Sequence, residues 1–317
     1  MIIKQADART HNIELLKHIK SLSHISREQA KRVEKELISI RSGLKGEREA
    51  AYHIDFHYGA GENYAIIHDL RLEHEGRVAQ IDHLIIGRML QTFLCETKYW
   101  SDGVSINEQG EFSAHYGQRK IGVPSPIMQN ARHIKVLSSL LNSGQIERPK
   151  RLGMKLPFTL NPITLVSTGA NIQRPEGLNQ KKYAEIVKID HLNDYMTTHF
   201  DSNMSPFSLG KLVSADTLRS FAEGLSELHK PLKIDYWKKF GINPSRPSKG
   251  NTSSPSVSSH PLVIQSSQSQ DTKTKKRASQ KQYFCNVCKA EVELKVARFC
   301  WFNKKRFNGE IRCRAHQ

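Results

Sequence analysis

Residues 78–100 read VAQIDHLIIGRMLQTFLCETKYW, and the fold turns on how this stretch divides. Val78–Ile86 and Leu90–Trp100 are apolar runs of strand length, separated by Gly87-Arg88. A third such run, Tyr64–Leu72, precedes them, and His74-Glu75-Gly76-Arg77 supplies a hairpin turn between it and Val78. Side chains alternate between the faces of a strand. Gln80 and Asp82 are therefore expected on one face, opposite Ile81, His83 and Ile85. On the following strand Glu96 and Lys98 share a face, while Phe93, Cys95 and Thr97 take the other. If the two strands are antiparallel neighbours, Asp82, Glu96 and Lys98 converge on one spot among apolar residues.

That grouping has a chemical use. Hydrolysis of a phosphodiester needs a hard cation that polarises the phosphoryl oxygen and acidifies the attacking water. Two carboxylates suit Mg²⁺ or Mn²⁺, and a neighbouring lysine can orient or deprotonate the water and offset charge growing on phosphorus. His83 is expected to point away from Asp82 as a packing residue, and Cys95 to be core. His53 and His57 lie four apart on a helix, but no third ligand accompanies them.

Outward from this centre the pattern is mixed α/β from Gly43 to about Phe240. A helix is expected from Glu47 to about Phe56, after Gly43 and Gly46 as breakers. Ile127 to about Leu141 repeats apolar residues at helical spacing, as does Ala215–Leu228; Ile163–Ser167 and Glu185–Ile189 read as short strands. Upstream, Ile13, Leu16, Ile19 and Val33, Leu37, Ile40 mark N-terminal helices. The expected division is a helical segment at 1–41, a main domain at 42–240, a flexible Ser/Pro/Gln-rich linker at 241–282, and a small module at 283–317.

Taken together, Gly46-Glu47, Gln80-Ile81-Asp82-His83, Glu96-Thr97-Lys98 with Gly103 after it, and Pro126 with Gln129 resemble the NERD (nuclease-related) domain, a branch of the PD-(D/E)xK restriction-endonuclease-like superfamily. Ser125-Pro126 stands where the family pattern has Asn-Pro. The resemblance implies a three-layer α/β/α core with a mixed central sheet, divalent-metal catalysis, and nucleic acid as substrate, with DNA expected. It also implies Asp82 and Glu96 as metal ligands, Lys98 as the water-activating group, and Glu47 and Gln129 as supporting residues.

The C-terminus reads YFCNVCKAEVELKVARFCWFNKKRFNGEIRCRAHQ, with four of the five cysteines. Cys285-x-x-Cys288 and Cys313-x-x-His316 are paired-ligand knuckles, each able to seat two ligands on one tetrahedral Zn²⁺. A β-hairpin over AEVELKVARFCWF, with a turn at Asn308-Gly309, would make this a zinc ribbon. Cys285, Cys288, Cys313 and His316 are the favoured ligands, with Cys300 able to displace His316. Lys304-Lys305-Arg306, Arg312 and Arg314, interleaved with Trp301, Phe302 and Phe307, could grip a phosphate backbone and stack on bases. A protein-docking role for the same module stays open.

The formal net charge is +17, which favours polyanionic partners. It is concentrated at one end: Thr272–Gln317 holds thirteen basic residues against three glutamates. No run approaches the roughly 18 apolar residues of a membrane span. MIIKQADARTHNIELL has no apolar signal stretch, so a cytoplasmic protein is expected. Two readings from other classes stand beside the nuclease: a catalytically silent nucleic-acid-binding scaffold, and an adaptor that docks a protein through the ribbon.

Overall fold

The computed structural model describes residues 1–176, 182–203 and 210–244. Of the C-terminal region it describes 283–288, 290–292, 296, 300, 307 and 310–316. The expected linker therefore lies outside the described residues from 245 onward, as do Trp301, Phe302, Lys304-Lys305-Arg306 and the Asn308-Gly309 turn. Residues 1–251 form one compact unit and 252–317 a second.

In the first unit the order is β1 (Ile2–Lys4), α1 (Thr10–Ser21), α2 (Arg27–Ile54), β2 (Tyr64–His74), β3 (Arg77–Gly87) and β4 (Gln91–Lys98). A short meander follows: β5 (Val104–Ile106), β6 (Phe112–Tyr116) and β7 (Arg119–Val123). Then come α3 (Pro126–Ser143), the two-residue pair β8 (Lys150–Arg151) and β9 (Met154–Lys155), β10 (Thr159–Val166), β11 (Ile172–Gln173) and β12 (Ile186–Lys188). Helices α4 (Leu192–Asn203), α5 (Ala215–Glu227) and α6 (Tyr236–Phe240) complete the unit.

The main sheet runs β1-β2-β3-β4-β10-β12. Its β2-β3-β4 centre is antiparallel, and β1, β10 and β12 join it in parallel, so the sheet is mixed. The β2–β3 hairpin turns at Glu75-Gly76, both with positive φ, the geometry that matches strand twist. One face of the sheet packs Leu70, Leu84, Ile86 and Leu94 against Leu137 and Leu140 of α3 and Leu218 and Phe221 of α5. The other packs Ile66, Ile85, Phe93 and Cys95 against Ala50 and Ile54 of α2 and Met196 of α4. These are the three α/β/α layers. Near the α1 end, Leu16, Val33, Tyr236 and Phe240 form a separate core joining α1, α2 and α6.

Three expectations change. Helix α2 does not begin after the glycines but at a capping box, with Ser26 accepting from Gln29 N–H and the Gln29 side chain bonding Ser26 N–H. It runs through Gly43 and Gly46. Gly46 serves close packing: a Cβ there would lie 3.1 Å from Tyr99 Cβ and 3.3 Å from Thr97 Cγ2.

The alternation along β3 also breaks. Ala79 and Ile81 enter the same core as Leu84 and Ile86, whereas Ile85 faces the other core, so Ile81 and Ile85 do not share a face. The cause lies partly on the neighbouring strand. Asp69 of β2 has φ 51°, and the recorded β2–β3 register passes from His68↔His83 to Leu70↔Ile81. Asp69 and Asp82 thus stand together at a kink in both strands.

In the second unit the expected hairpin sits differently. Tyr283–Phe284 (β13) pairs with Glu291–Val292 (β14), so the described hairpin brackets the first knuckle. Of the described residues in the segment expected as a hairpin, only Glu291–Val292 is strand, whereas Val296 and Cys300 are helical.

Candidate active site

Strands β3 and β4 pair from Ile86↔Thr92 to His83↔Cys95. One residue further, Asp82 Oδ2 accepts the Thr97 N–H at 2.8 Å. A carboxylate thus takes the place of a backbone carbonyl where the strands part, and it is held beside Glu96 and Lys98. Glu96 is 3% exposed. Its Oε1 accepts from Lys98 Nζ at 2.7 Å, and the same Nζ donates to Gln129 Oε1 of α3 at 3.1 Å. Asp82, Glu96, Lys98 and Gln129 therefore belong to one connected cluster.

Glu47 reaches the cluster from α2. Burial pushes its carboxyl above the usual range, with Arg9 opposing and Asp69 adding to the rise. Asp82 is raised well above its usual value, first by burial and then by the charges of Glu96 and Glu47. Glu96 is raised as well, by burial first, against the pull of Lys98. Three acids crowded in a poorly solvated place repel one another, and a bound cation relieves that repulsion.

Residues 42–159 match the family model described as NERD, the nuclease-related domain. No curated protein and no solved structure matches the chain. The NERD match runs from the middle of α2 to the first residue of β10, a little over a third of the chain. It contains Glu47, Asp82, Glu96, Lys98 and Gln129.

Two residues at this cluster escaped sequence reading. His133 lies one helical turn beyond Gln129, and its Nδ1 is 3.7 Å from Glu96 Oε2. Neither atom makes a hydrogen bond among the described residues. The i, i+4 spacing of Gln129 and His133 was the available signal. Arg9 lies outside the matched range and gave none; it donates to Glu47 Oε1 at 3.2 Å and Asp69 Oδ1 at 3.4 Å. Gln80 Nε2 also donates to Asp69 Oδ1, at 3.2 Å.

His83 turns to the α2 side of the sheet. It lies 2.7 Å from His68, Nδ1 to Nδ1, and His68 Nε2 is 2.9 Å from Asp55. Burial pushes the His83 imidazole well below its usual pKa, then the His68 charge adds to the effect, so it serves as a neutral core group. Cys95 is fully buried in the same core, as expected. His53 and His57 belong to no metal-binding group among the described residues.

The second unit holds a metal-compatible cluster. The ligand atoms of Cys285, Cys288, Cys313 and His316 all lie within 4.8 Å of one another. Cys288 Sγ is 3.7 Å from Cys313 Sγ, and His316 Nδ1 is 3.1 Å from Cys313 Sγ and 3.8 Å from Cys285 Sγ. Zn–S bonds of about 2.3 Å place neighbouring tetrahedral ligands about 3.8 Å apart, so these spacings suit zinc. The Cys285 thiol is drawn down to about 6, first by the Cys288 backbone amide, which favours the thiolate a metal requires. Cys300 is engaged elsewhere: its Sγ lies 3.3 Å from both the Arg312 N–H and the Arg312 carbonyl. The group of ligand atoms that could hold a metal comprises Cys285, Cys288, Cys313 and His316, and Cys300 is not part of it. No helix among the described residues is long and apolar enough to cross a membrane.

Proposed function

We propose that the chain is a divalent-metal-dependent nuclease that hydrolyses phosphodiester bonds, with DNA as substrate in repair, restriction or related processing. The observation that carries this reading is the convergence of Asp82, Glu96 and Lys98 where β3 and β4 part. The donor set fits Mg²⁺ or Mn²⁺: carboxylate oxygens are hard ligands, and Glu96 Oε2 has no hydrogen-bond partner among the described residues. Asp82 and Glu96 would hold the cation, with Glu47 nearby. When bound, the cation would polarise the phosphoryl oxygen and acidify a water.

The chain's own groups have separable tasks. Thr97 N–H fixes one Asp82 oxygen and leaves the other for the cation. Glu96 Oε1 and Gln129 Oε1 aim the Lys98 ammonium from two sides. Lys98 can then orient the attacking water and offset negative charge growing on the phosphoryl group. His133 closes the α3 side beside Glu96 Oε2. The apolar cores on both faces of β3 and β4 keep the surroundings poorly solvated, which strengthens each electrostatic contact.

The second unit is read as a zinc module that holds nucleic acid near the nuclease domain, raising its local concentration. Arg312 and Arg314 beside the metal cluster support that reading, together with the excess of basic residues after Thr272. Three free cysteines in one metal-compatible group fit the reducing cytoplasm. Cleavage of labelled single- and double-stranded DNA and RNA, with Mg²⁺, Mn²⁺ or no divalent cation, tests the activity. Metal-dependent cutting of DNA is the expected result; strand binding without cutting under every condition would leave a nucleic-acid-binding scaffold.

A further inference from the structure

Three parallel strands of the main sheet end side by side. Lys98, Val166 and Lys188 are the last residues of β4, β10 and β12 and stand in register. Neighbouring strands lie about 4.8 Å apart, so the Cα atoms of Lys98 and Lys188 are separated by roughly 10 Å. A cavity of about 590 Å³ opens at the β12 edge. Lys188 lines it, with Arg174 just after β11, His191 just before α4, and Asp194, Tyr195 and Thr198 from the first two turns of α4. Ligands of open α/β sheets collect outside the carboxyl ends of parallel strands, which is where this cavity lies.

Its charges are unbalanced. Arg174 is partly buried, and its Nε and Nη2 donate to the backbone carbonyls of Tyr183 and Ile186. Its Nη1 makes no hydrogen bond among the described residues. Burial pulls the guanidinium below its usual pKa, and no acid raises it back. Arg9, also partly buried, is raised instead by Glu47, Asp69 and Asp82. Lys188 has no ion-pair partner among the described residues either, whereas Lys20, Lys150 and Lys239 are answered by Glu34, Glu147 and Glu36. Among the described residues Asp194 is the one carboxylate on the lining, facing two fixed cations. A desolvated cation without a counter-ion is costly, and the free side of an arginine fork suits phosphate oxygens. The Tyr195 and Thr198 hydroxyls add neutral donors.

We propose that this cavity is a second phosphate site, holding a phosphate of the strand whose scissile bond lies at Asp82, Glu96 and Lys98. This rests on the nuclease reading of that cluster. The distance from Lys98 to Lys188 corresponds to about three nucleotides at the roughly 3.4 Å rise of a stacked strand. An internal phosphodiester and a terminal phosphate present the same chemistry to Arg174 and Lys188.

The test is anisotropy of an internally labelled single strand carrying a 5′ phosphate, a 3′ phosphate or neither, on the full chain without added divalent cation, over a range of salt. Arg174→Gln and Lys188→Gln each weaken binding about three- to tenfold. Each also lowers the slope of log affinity against log salt by about 0.7, the share of one phosphate contact. Lys155→Gln removes an exposed lysine of β9, ahead of the opposite end of β10, and keeps the wild-type affinity and slope. Loss confined to one phosphorylated end assigns a terminal phosphate, and equal loss on all three strands an internal one. If Arg174→Gln fails to fold for want of its carbonyl contacts, Lys188→Gln, whose side chain makes no hydrogen bond among the described residues, carries the test alone. Wild-type binding by the folded site variants overturns the proposal, as does an equal loss in Lys155→Gln, which would show diffuse charge. Metal-dependent cleavage by wild type in either event leaves the nuclease reading standing. Weakened binding in the site variants without any cleavage by wild type keeps the phosphate site and removes the nuclease.

Discussion

Gly43 and Gly46 lie on the same helix one turn apart, and alanine at the two positions should act in opposite directions. Each substitution gains helix propensity, about 1 kcal/mol for Gly→Ala in a helix interior. At Gly43 the added methyl finds only Glu47 Oε1 at 3.6 Å, an ordinary contact, so the gain is kept. At Gly46 it meets Tyr99 Cβ at 3.1 Å and Thr97 Cγ2 at 3.3 Å, with Tyr99 N at 3.5 Å behind them. Those atoms belong to the end of β4 and the residue after it, and the strand is fixed between β3 and β10, so relief requires shifting backbone. Overpacking of this kind costs about 1–3 kcal/mol. Gly43→Ala is therefore expected to raise the melting temperature by about 2–4 °C, and Gly46→Ala to cancel that gain or reverse it. Thermal unfolding followed by circular dichroism measures both. Because Lys98 lies between Thr97 and Tyr99, Gly46→Ala should also reduce cleavage, while Gly43→Ala should not. Equal stabilisation by both alanines would refute the claim that Gly46 is present for close helix–strand approach.

The metal module gives a second prediction: Cys313→Ser loses bound zinc and Cys300→Ser retains it, read by metal analysis of the purified chains. Cobalt substitution should give the visible bands of a tetrahedral thiolate site in wild type and Cys300→Ser alone. A third concerns Glu185, whose carboxyl is raised to about 7 by burial. The folded state then holds a proton that the unfolded chain releases near its ordinary value of 4.5, so stability falls as pH rises from about 4.5 to 7. Glu185→Gln should raise the melting temperature at pH 8 and leave it nearly unchanged at pH 4.5; an equal shift at both would contradict the linkage. A fourth concerns the α3 face: Gln129→Ala frees Lys98 on one side and should lower kcat more than it raises KM.

The centre of the site was legible because its information is local. Asp82, Glu96 and Lys98 sit in apolar runs whose strand character is plain, and the E-x-K spacing puts the last two on one face. The pairing of those runs through short turns then brings Asp82 near. The same alternation misplaced Ile81 relative to Ile85, because a kink shared with Asp69 on another strand leaves no mark in the local pattern. Gly46 was misread for a related reason: a glycine that permits close packing and one that ends a helix look alike in a single sequence. Arg9 could not be found at all, since its contact with Glu47 spans 38 residues and depends on how α1 packs on α2. In the second unit the paired knuckles were legible from spacing. That His316 rather than Cys300 groups with the three cysteines is visible only in the structure.

The most direct test of the central claim is cleavage of labelled DNA in Mn²⁺ or Mg²⁺ by wild type, Asp82→Ala and Lys98→Ala, each first shown to fold and to bind the strand. The account predicts metal-dependent cleavage by wild type and a loss of at least about a hundredfold in both variants, since each removes a group that acts on the scissile phosphate. Equal cleavage by all three proteins would place the chemistry somewhere other than the gap between β3 and β4.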